Sequence, residues 1–314
     1  MNETDELIES LLAKEEGERP RLVKAKYGFL PISIWNISGK PKPLDTFITD
    51  EIGRDSYSVS FQGQAKRNKK GVKSRLSQFH PEVARRCTLL WSKENDVMYD
   101  PFAERAPRIL TANYLHRHAI GTDISEKFMR HNIKKIFGKE FPSNIDPIDI
   151  QHNGIMNGYR IELYCCDSRN VPFILNDSTD FIFCSPPYFT VEIYSNEENQ
   201  LGYGKAIHGD NPDYQKFLGE LKKVVEENFR VLKPGKYCVW VVADIRVGEE
   251  FLSFSSDTIN LMKDVGFKHH DTAIYDVHSK SVLGIGKIVE KGYTAKSHEF
   301  ILVFKKPEEV NIFG

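Results

Sequence analysis

The stretch from Asp180 to Phe189 constrains the fold of this chain more than any other part of the sequence. It begins as a run of β-forming apolar residues and ends in a polar residue, two prolines and two aromatic residues. An uninterrupted apolar run is typical of a parallel strand that is buried on both faces. Successive prolines hold φ near about −65° and keep the preceding residue extended. We therefore predict a buried strand that ends in a stiff loop, with the carbonyl groups of Ser185 and Pro186 held in fixed directions.

The tyrosine that follows the prolines adds a flat ring to the predicted loop. Carbonyl and hydroxyl oxygens accept hydrogen bonds from an exocyclic amino group, and an aromatic ring stacks on the face of a planar base. The combination of Ser185, Pro186 and Tyr188 therefore suits a planar substrate that carries an NH2 group. A core strand that ends in proline, followed by a surface tyrosine, is the alternative interpretation of the same residues.

Three other predicted strands also end in polar residues. Apolar runs precede Asp100, Asp123 and Asp167. In doubly wound nucleotide-binding folds, such residues gather at the carboxyl edge of the sheet, and an acid after the second strand accepts hydrogen bonds from ribose hydroxyl groups. We predict that role for Asp123. The alternative role is an N-cap for the helix that begins near Glu126, which Ser125 could provide instead.

The four residues from Ser185 to Tyr188 match the Ser-Pro-Pro-Tyr signature of the amino-methyltransferases that act on DNA bases. In that family the serine form is most typical of enzymes that methylate N4 of cytosine, and the aspartate form of enzymes that methylate N6 of adenine. Two further segments resemble the family. Phe79-His80-Pro81 is similar to its Phe-x-Pro element, and Asp100-Pro101-Phe102-Ala103 is similar to the start of its cofactor loop, Asp-Pro-Phe-Ala-Gly-x-Gly-Thr.

The second half of that loop departs from the family pattern. Glu104, Arg105, Ala106 and Pro107 stand where the family has Gly-x-Gly-Thr. Glycine is usual at such positions because the backbone takes a positive φ or approaches the ligand closely. A glutamate would repel the carboxylate of the cofactor unless it is turned away or paired with Arg105.

The resemblance covers about residues 75–306 and implies a doubly wound α/β domain with the seven-stranded, Rossmann-like sheet of the class I methyltransferases. We place this domain at residues 76–314, after an N-terminal extension at residues 1–75. The implied cofactor is S-adenosylmethionine. By the resemblance, the catalytic residues are Ser185, Pro186, Pro187 and Tyr188, and the cofactor-binding residues are Phe79, Pro81, Asp100, Pro101, Phe102, Ala103, Asp123, Ile124, Asp167 and Ser168.

The activity that the resemblance implies is methylation of an exocyclic amino group in DNA, with N4 of cytosine favoured over N6 of adenine. The base would be flipped out of a duplex, restriction-modification is the implied context, and no metal is expected. Two alternatives remain open. One is a protein of this fold that binds nucleic acid without catalysis, suggested by Glu104 and Pro107, and the other is a methyltransferase acting on RNA or on a protein amide.

Composition limits where DNA could bind and predicts the cellular location. The net charge of −1 and the pI of about 6.8 give no overall attraction to DNA, so contacts must come from local clusters. The lysines and arginines at residues 64–75 predict either a phosphate-contacting loop or a solvated loop. No apolar run approaches membrane-spanning length and the acidic start is unlike a signal peptide, so we expect a cytoplasmic, nucleoid-associated protein with reduced core cysteines.

Overall fold

The computed structural model describes residues 23, 24, 26, 28–37, 80–187, 189, 214–247, 249–276, 292–294 and 297–308. The chain divides into two compact units, residues 1–34 and 35–314. In the first unit, the backbone is helical at residues 23, 24 and 26 and irregular from 28 to 33. The predicted domain boundary between residues 75 and 76 lies outside the described residues and stays a prediction.

Strands and helices alternate along the larger unit. The helices are α1 (Pro81–Trp91), α2 (Pro107–Tyr114), α3 (Glu126–Phe137), α4 (Tyr214–Val231) and α5 (Phe254–Val265). The strands are β1 (Ile34–Asn36), β2 (Val97–Asp100), β3 (His118–Asp123), β4 (Gln151–Met156), β5 (Tyr159–Cys165), β6 (Thr179–Cys184), β7 (Leu232–Val242), β8 (Ile245–Val247), β9 (Glu250–Leu252), β10 (Lys268–Asp276) and β11 (His298–Lys305). None of the described helices combines the length and the apolar character needed to span a membrane.

One mixed sheet of nine strands has the order β1-β10-β11-β7-β6-β2-β3-β5-β4. Strands β7, β6, β2, β3 and β5 are parallel neighbours, whereas β4 is antiparallel to β5 and β11 is antiparallel to both β7 and β10. The chain moves outward from β2 to β3 and β5, and then outward in the other direction from β6 to β7. Strands β2 and β6 are adjacent, so the direction of chain progression reverses between them, which makes this the switch point of the sheet.

Successive side chains of the central strands enter two different cores, as the two-residue period of a strand requires. In β6, Phe181 and Phe183 pack in the core that includes residues of α1, α2 and α3. Ile182 and Cys184 pack in the core that includes residues of α4 and α5. Helices therefore cover both faces of the sheet, which confirms the predicted doubly wound architecture. All five cysteines are free and four of them are buried, as predicted.

The seven predicted strands are present in the order β10-β11-β7-β6-β2-β3-β5, and the edge strands β1 and β4 extend the sheet to nine. Strand β4 forms a hairpin with β5 through Asn157 and Gly158, whose φ angles are 51° and 83°. An Asn-Gly pair favours a two-residue hairpin turn in which both residues have positive φ. The local signal for this hairpin is therefore present in the sequence, although the sequence analysis did not use it.

Candidate functional site

The switch point between β2 and β6 brings predicted site residues to the carboxyl edge of the parallel strands. Asp100 is the last residue of β2, Asp123 is the last residue of β3, and Ser185 directly follows β6. Asp167 lies two residues beyond the end of β5. Because these strands are parallel, all four residues lie along the same edge. We call this set, Asp100, Asp123, Asp167 and Ser185, the polar edge.

Asp100 forms a completely buried ion pair with Arg108 in the first turn of α2. Nε of Arg108 donates to Oδ2 of Asp100 over 2.7 Å, and both side chains are 0% exposed. The guanidinium also donates to the carbonyl of Phe102, and Asp100 accepts from the N–H of Phe102. Burial raises the pKa of Asp100, and the charge of Arg108 opposes that shift. These contacts fix the loop after β2, and the predicted contact of Asp100 with a cofactor stays a prediction.

Asp123 is held by two backbone donors. Oδ2 accepts from the N–H of Glu104 and Oδ1 accepts from the N–H of Ser125, each over 2.8 Å. The hydroxyl of Ser125 caps α3 by accepting from the N–H of Phe128, so the alternative assignment of Asp123 as the N-cap is wrong. Burial raises the pKa of Asp123 to about 6, and the backbone donors limit that rise. Each carboxylate oxygen has a second lone pair for another donor.

The loop between β2 and α2 has a glycine-like backbone without glycines. Glu104 and Ala106 have φ angles of 45° and 61°, and they occupy the positions where the family pattern has glycine. The N–H of Glu104 donates to Asp123, and its carbonyl accepts from the side-chain amide of Asn132 over 2.7 Å. The N–H of Ala106 donates to the carbonyl of Ala103 over 2.6 Å. These hydrogen bonds impose a left-handed conformation that glycine adopts at lower cost.

The loop also packs closely on β3. The N–H of Ala103 donates to the carbonyl of Thr122 over 2.9 Å. A methyl group added to Gly121 would lie 3.0 Å from Leu163 and 3.1 Å from both Ala103 and Ile109. Gly121 therefore leaves room for the loop and α2 to approach the strand.

The carboxylate of Glu104 acts electrostatically across the switch point. Burial is the main cause of the strongly raised pKa of Cys184, and the carboxylates of Asp100 and Glu104 add to it. Cys184 is the last residue of β6 and directly precedes Ser185. Glu104 thus makes the smallest of these contributions at Cys184, and its carboxylate also raises the pKa of Arg108.

Replacing Glu104 with glycine is expected to stabilise the fold. A residue with a Cβ atom in the left-handed region carries a strain of about 1 kcal/mol, which glycine avoids. The E104A variant removes the carboxylate but keeps the Cβ atom, so it is the matched control. We expect urea unfolding to give a free energy of unfolding about 0.5–1 kcal/mol higher for E104G than for E104A. Equal values for the two variants would show that the positive φ is not strained.

A chain of buried hydroxyl groups connects Ser168 with two strands. Ser168 Oγ donates to the carbonyl of Pro101 over 2.6 Å and lies 2.7 Å from Oγ1 of Thr122, which lies 3.0 Å from the hydroxyl of Tyr99. Because Ser168 uses its proton on Pro101, Thr122 donates to Ser168 and Tyr99 donates to Thr122. Ser168 therefore positions the carbonyl at the start of the loop, and its predicted contact with a cofactor stays a prediction.

Asp167 is bound by a neighbouring arginine. Nε of Arg169 lies 2.9 Å from Oδ2 and 3.0 Å from Oδ1 of Asp167, and the guanidinium also donates to Glu220 of α4. Arg169 thus links the segment after β5 to α4. The side chain of Asp167 is 36% exposed, so its carboxylate remains accessible from solvent.

The predicted catalytic residues, 185–188, form what we call the catalytic corner. The part of it that the structure describes is partly exposed. Ser185 and Pro187 are half-buried and Pro186 is buried. Phe189 is 2% exposed, and its ring centroid lies 5.3 Å from that of Phe217 on α4. The corner is therefore held between β6 and α4, and part of Ser185 faces solvent.

Some of the remaining predicted site residues are described by the structure and others are not. Phe79 and Tyr188 lie outside the described residues. In the described part of the chain, no group of three or more His, Cys, Asp or Glu side chains could hold a metal ion. The other members of the predicted cofactor set are buried at Pro81, Pro101 and Ala103 and half-buried at Phe102 and Ile124.

The sequence analysis missed Arg108, Thr122 and Asn132, which shape the site. Arg108 is the only charged residue in α2, and a buried arginine requires an anionic partner. Asp100 ends a strand eight residues earlier, so the ion pair could have been predicted from the sequence. Thr122 and Asn132 left no comparable signal, because their partners come from segments that are distant in sequence.

The strand order and the polar edge define the class of protein. Parallel strands β2, β3 and β5 lie on one side of the switch point, and β6 and β7 lie on the other. Antiparallel β11 lies between β7 and β10. This is the fold of the class I methyltransferases, as predicted from the sequence.

Comparison with known proteins then shows which family part of the chain resembles. The family model of DNA methylases matches residues 179–313. The type II methyltransferase M.MthZI of Methanothermobacter thermautotrophicus is 25% identical over 160 residues, which are 46% of this chain and 44% of that protein. Residues 179–313 are therefore similar to the DNA methylases, in agreement with the resemblance predicted from the sequence.

Two solved structures are also similar. A DNA modification methylase of Thermus thermophilus, solved with S-adenosyl-L-methionine, is 28% identical over 46% of this chain and 55% of that chain, with a TM-score of 0.33. A SAM-dependent methyltransferase of Methanosarcina mazei is 15% identical over 74% of this chain and 99% of that chain, with a TM-score of 0.46. The matches to M.MthZI and to the Thermus protein span about half the length of those relatives.

Proposed function

We propose that this protein transfers a methyl group from S-adenosylmethionine to an exocyclic amino group of a DNA base. The observation that carries the proposal is the position of Ser185 and Pro186, which follow the strand next to Asp100 at the switch point. Ligands of this fold class bind at that point, and oxygen acceptors there can take the N–H groups of a substrate. The family match over residues 179–313 includes the same corner and supports this assignment.

The residues on the other side of the switch point fit the cofactor of the family, S-adenosylmethionine. Asp123 is a buried acid with a free lone pair on each oxygen, which suits two ribose hydroxyl groups. Ile124 would lie against the adenine ring, and Asp167 would accept from its amino group. Phe79 and Pro81 would cover the methionine end. When bound, the cofactor supplies a methyl group attached to a positively charged sulfur.

The corner at Ser185 would activate a poor nucleophile. The lone pair of an exocyclic amino group is delocalised into the base ring, so it must be localised before it can attack. The hydroxyl oxygen of Ser185 and the carbonyl of Pro186 would accept the two N–H groups and favour a pyramidal amine. Tyr188 would stack on the base after the base leaves the duplex. The two prolines restrict both acceptors, which would hold the amine for attack on the methyl group. The amino nitrogen would gain the methyl group as the bond from carbon to sulfur breaks, and the methylated amine would release one proton to solvent.

We propose N4 of cytosine as the methylated atom, because the serine form of the motif is most typical of that specificity. The test incubates the full chain with S-adenosylmethionine and unmethylated DNA, followed by digestion to nucleosides and mass spectrometry. We expect N4-methylcytosine. N6-methyladenine would move the assignment to the alternative base, and the absence of any methylated nucleoside would contradict a DNA substrate.

A second candidate function is nucleic-acid binding without methyl transfer. It is favoured by Glu104, which puts a carboxylate in the loop position where the family pattern has glycine. Titration calorimetry with S-adenosylmethionine separates the two candidates. Lack of binding would support the second candidate, whereas binding accompanied by methyl transfer to DNA would contradict it.

The proposed substrate also sets the expected partner and location. A flipped base implies duplex DNA as the partner, and we expect the protein to work in the cytoplasm in association with the nucleoid. Competition by DNA oligonucleotides should inhibit any methyl transfer to RNA or protein. Transfer that DNA does not inhibit would favour one of those other substrates.

Cofactor affinity is expected to rise with pH through about 6. Burial raises the pKa of Asp123 to about 6, and only the ionised carboxylate offers acceptors on both oxygens to the ribose hydroxyl groups. Calorimetric titrations from about pH 5 to 8 should show this rise for the wild-type protein. The D123N variant should bind weakly at every pH and lack the rise. A rise of equal size in D123N would assign the titration to another group.

The same pKa shift predicts how stability depends on pH. A carboxyl group with a folded-state pKa of about 6, against about 4 when unfolded, favours folding while it is protonated. This contribution is complete below about pH 4 and is lost as the pH rises through about 6. Between about pH 4 and 8, wild-type protein should therefore lose roughly 2–3 kcal/mol relative to D123N in urea unfolding. Parallel pH curves for the two proteins would contradict the shift.

A further inference from the structure

The hairpin of β8 and β9 presents an exposed arginine on its outer face. Ile245 pairs with Leu252, and Arg246 pairs with Phe251. Ile245 and Leu252 are 5% and 8% exposed and anchor the hairpin in the core that includes α4 and α5. Directly paired residues share a face of a hairpin, and successive residues alternate between faces. Arg246 and Phe251 therefore lie on the face opposite the core.

The guanidinium of Arg246 is held against two aromatic rings. Its Cζ atom lies 5.2 Å from the ring centroid of Phe251 and 3.8 Å from that of Tyr293. One donor, Nη1, is used on the carbonyl of Glu249 over 2.9 Å. Stacking covers the faces of a guanidinium but leaves its in-plane N–H groups available to another acceptor. The side chain is therefore ordered, while part of its donor edge remains accessible to a ligand.

Most arginines of the described chain have their charge neutralised, unlike Arg246. Carboxylate partners within 4.0 Å are found for Arg85, Arg86, Arg108, Arg130, Arg160, Arg169 and Arg230. Arg246 is exposed and has no such partner among the residues that the structure describes. An ordered, exposed cation without a carboxylate partner suits an anion from outside the protein.

The hairpin lies at the same edge of the sheet as the candidate site. It directly follows β7, in which Trp240 pairs with Cys184 at the end of β6. Strand β10 is parallel to β7, because both are antiparallel to β11. The connection from Asp276 to His298, which includes Tyr293, therefore starts and ends at this edge as well.

We propose that Arg246 and Phe251, with Tyr293 behind the guanidinium, form a contact surface for one strand of DNA. This inference rests on the proposed DNA substrate. The in-plane donors of Arg246 match a backbone phosphate, and the ring of Phe251, 53% exposed, offers a stacking surface to an unpaired base. Glu250 pairs with Val247, which places its carboxylate on the opposite face of the hairpin. Phosphates and ring faces are common to all sequences, so the contact is independent of base sequence.

The test measures binding of a labelled duplex and a labelled single strand by fluorescence anisotropy over a range of salt concentrations. R246A should weaken binding about tenfold and lower the slope of log affinity against log salt by about 1. R246K keeps the positive charge but loses the planar guanidinium that stacks on the two rings, so its DNA affinity should lie between those of R246A and wild type. F251L keeps apolar volume without a ring and should weaken single-strand binding about fivefold. Lys268 is exposed at the start of β10, at the opposite edge, so K268A is the charge-matched control and should equal wild type.

Each outcome either supports or contradicts the assignment of this surface as a DNA contact. Equal affinity and equal salt slope for R246A and wild type would overturn the proposal, as would binding of RNA through Arg246 without binding of DNA. Methyl transfer by the same proteins separates this inference from the proposed function. DNA binding that depends on Arg246, without methyl transfer, would support the contact surface and contradict the proposed enzymatic function. Methyl transfer by a protein whose DNA binding is unchanged in R246A would support the enzymatic function and contradict the contact surface. Equal melting temperatures and equal cofactor binding should show that the variants are folded.

Discussion

Replacing Arg108 with methionine is expected to lower the free energy of unfolding by about 3–5 kcal/mol. The variant keeps most of the apolar bulk but leaves the fully buried carboxylate of Asp100 without its cation. Removing one partner of a buried ion pair costs this much because the remaining group stays desolvated without compensation. Urea unfolding followed by circular dichroism measures the change.

A partly exposed ion pair provides the control for R108M. Arg130 and Glu126 form a 2.6 Å pair on α3, with side chains 22% and 41% exposed. R130M should cost about 1–2 kcal/mol, because solvent screens the ion pair and the variant also loses the hydrogen bond from Arg130 to the carbonyl of Phe141. The double variant D100N/R108M should recover part of the stability lost in R108M, since neither charge remains. Equal losses in R108M and R130M, or no recovery in the double variant, would contradict the assigned role of the buried pair.

Removing the hydroxyl group of Ser185 is expected to lower the rate of methyl transfer at least about hundredfold. The S185A variant removes one of the two acceptors proposed for the amino group, and loss of one preorganised hydrogen-bonding group typically costs about 10²–10³ in kcat. Cofactor affinity should stay close to that of wild type, because Ser185 lies across the switch point from Asp123. Transfer of a radiolabelled methyl group and titration calorimetry measure the two quantities separately.

The amino end of the same strand provides the control for S185A. Ser178 precedes β6 and donates to the carbonyl of Leu175, so S178A removes the same atom far from the polar edge and should retain activity. Y188A should lose transfer as S185A does, because the flipped base would lose its stacking partner. D123A should instead weaken cofactor binding. Full transfer by both S185A and Y188A would exclude the proposed catalytic corner.

Strand ends were predictable because their signals are local. The predicted strand ends at Asp100 and Asp123 and the predicted helix start near Glu126 are confirmed. An apolar run followed by an acid or a helix cap is visible within a few residues of sequence. The edge strand β4 was missed because its residues alternate between half-buried and exposed, which leaves only a weak apolar pattern.

Much of the site's geometry was not predictable, for a physical reason. The left-handed conformation of Glu104 is imposed by Asp123 and Asn132, which lie 19 and 28 residues away in sequence. Glutamate itself has no preference for positive φ, so its own identity argued against this conformation. The stacking of Arg246 on Tyr293 was likewise not predictable, because only the folded chain brings Tyr293 to the hairpin.

The sequence by itself determined the alternation of strands and helices, the polar residue at each strand end and the Ser-Pro-Pro-Tyr motif that resembles the signature of the DNA amino-methyltransferases. These features depend on periodicity and on backbone preferences that act over a few residues. Only the tertiary structure decided that Asp100 forms a buried ion pair with Arg108, and that Glu104 adopts the positive φ angle usual for glycine. Both depend on which distant groups satisfy the buried charges and backbone N–H groups, and that choice is made only when the chain packs.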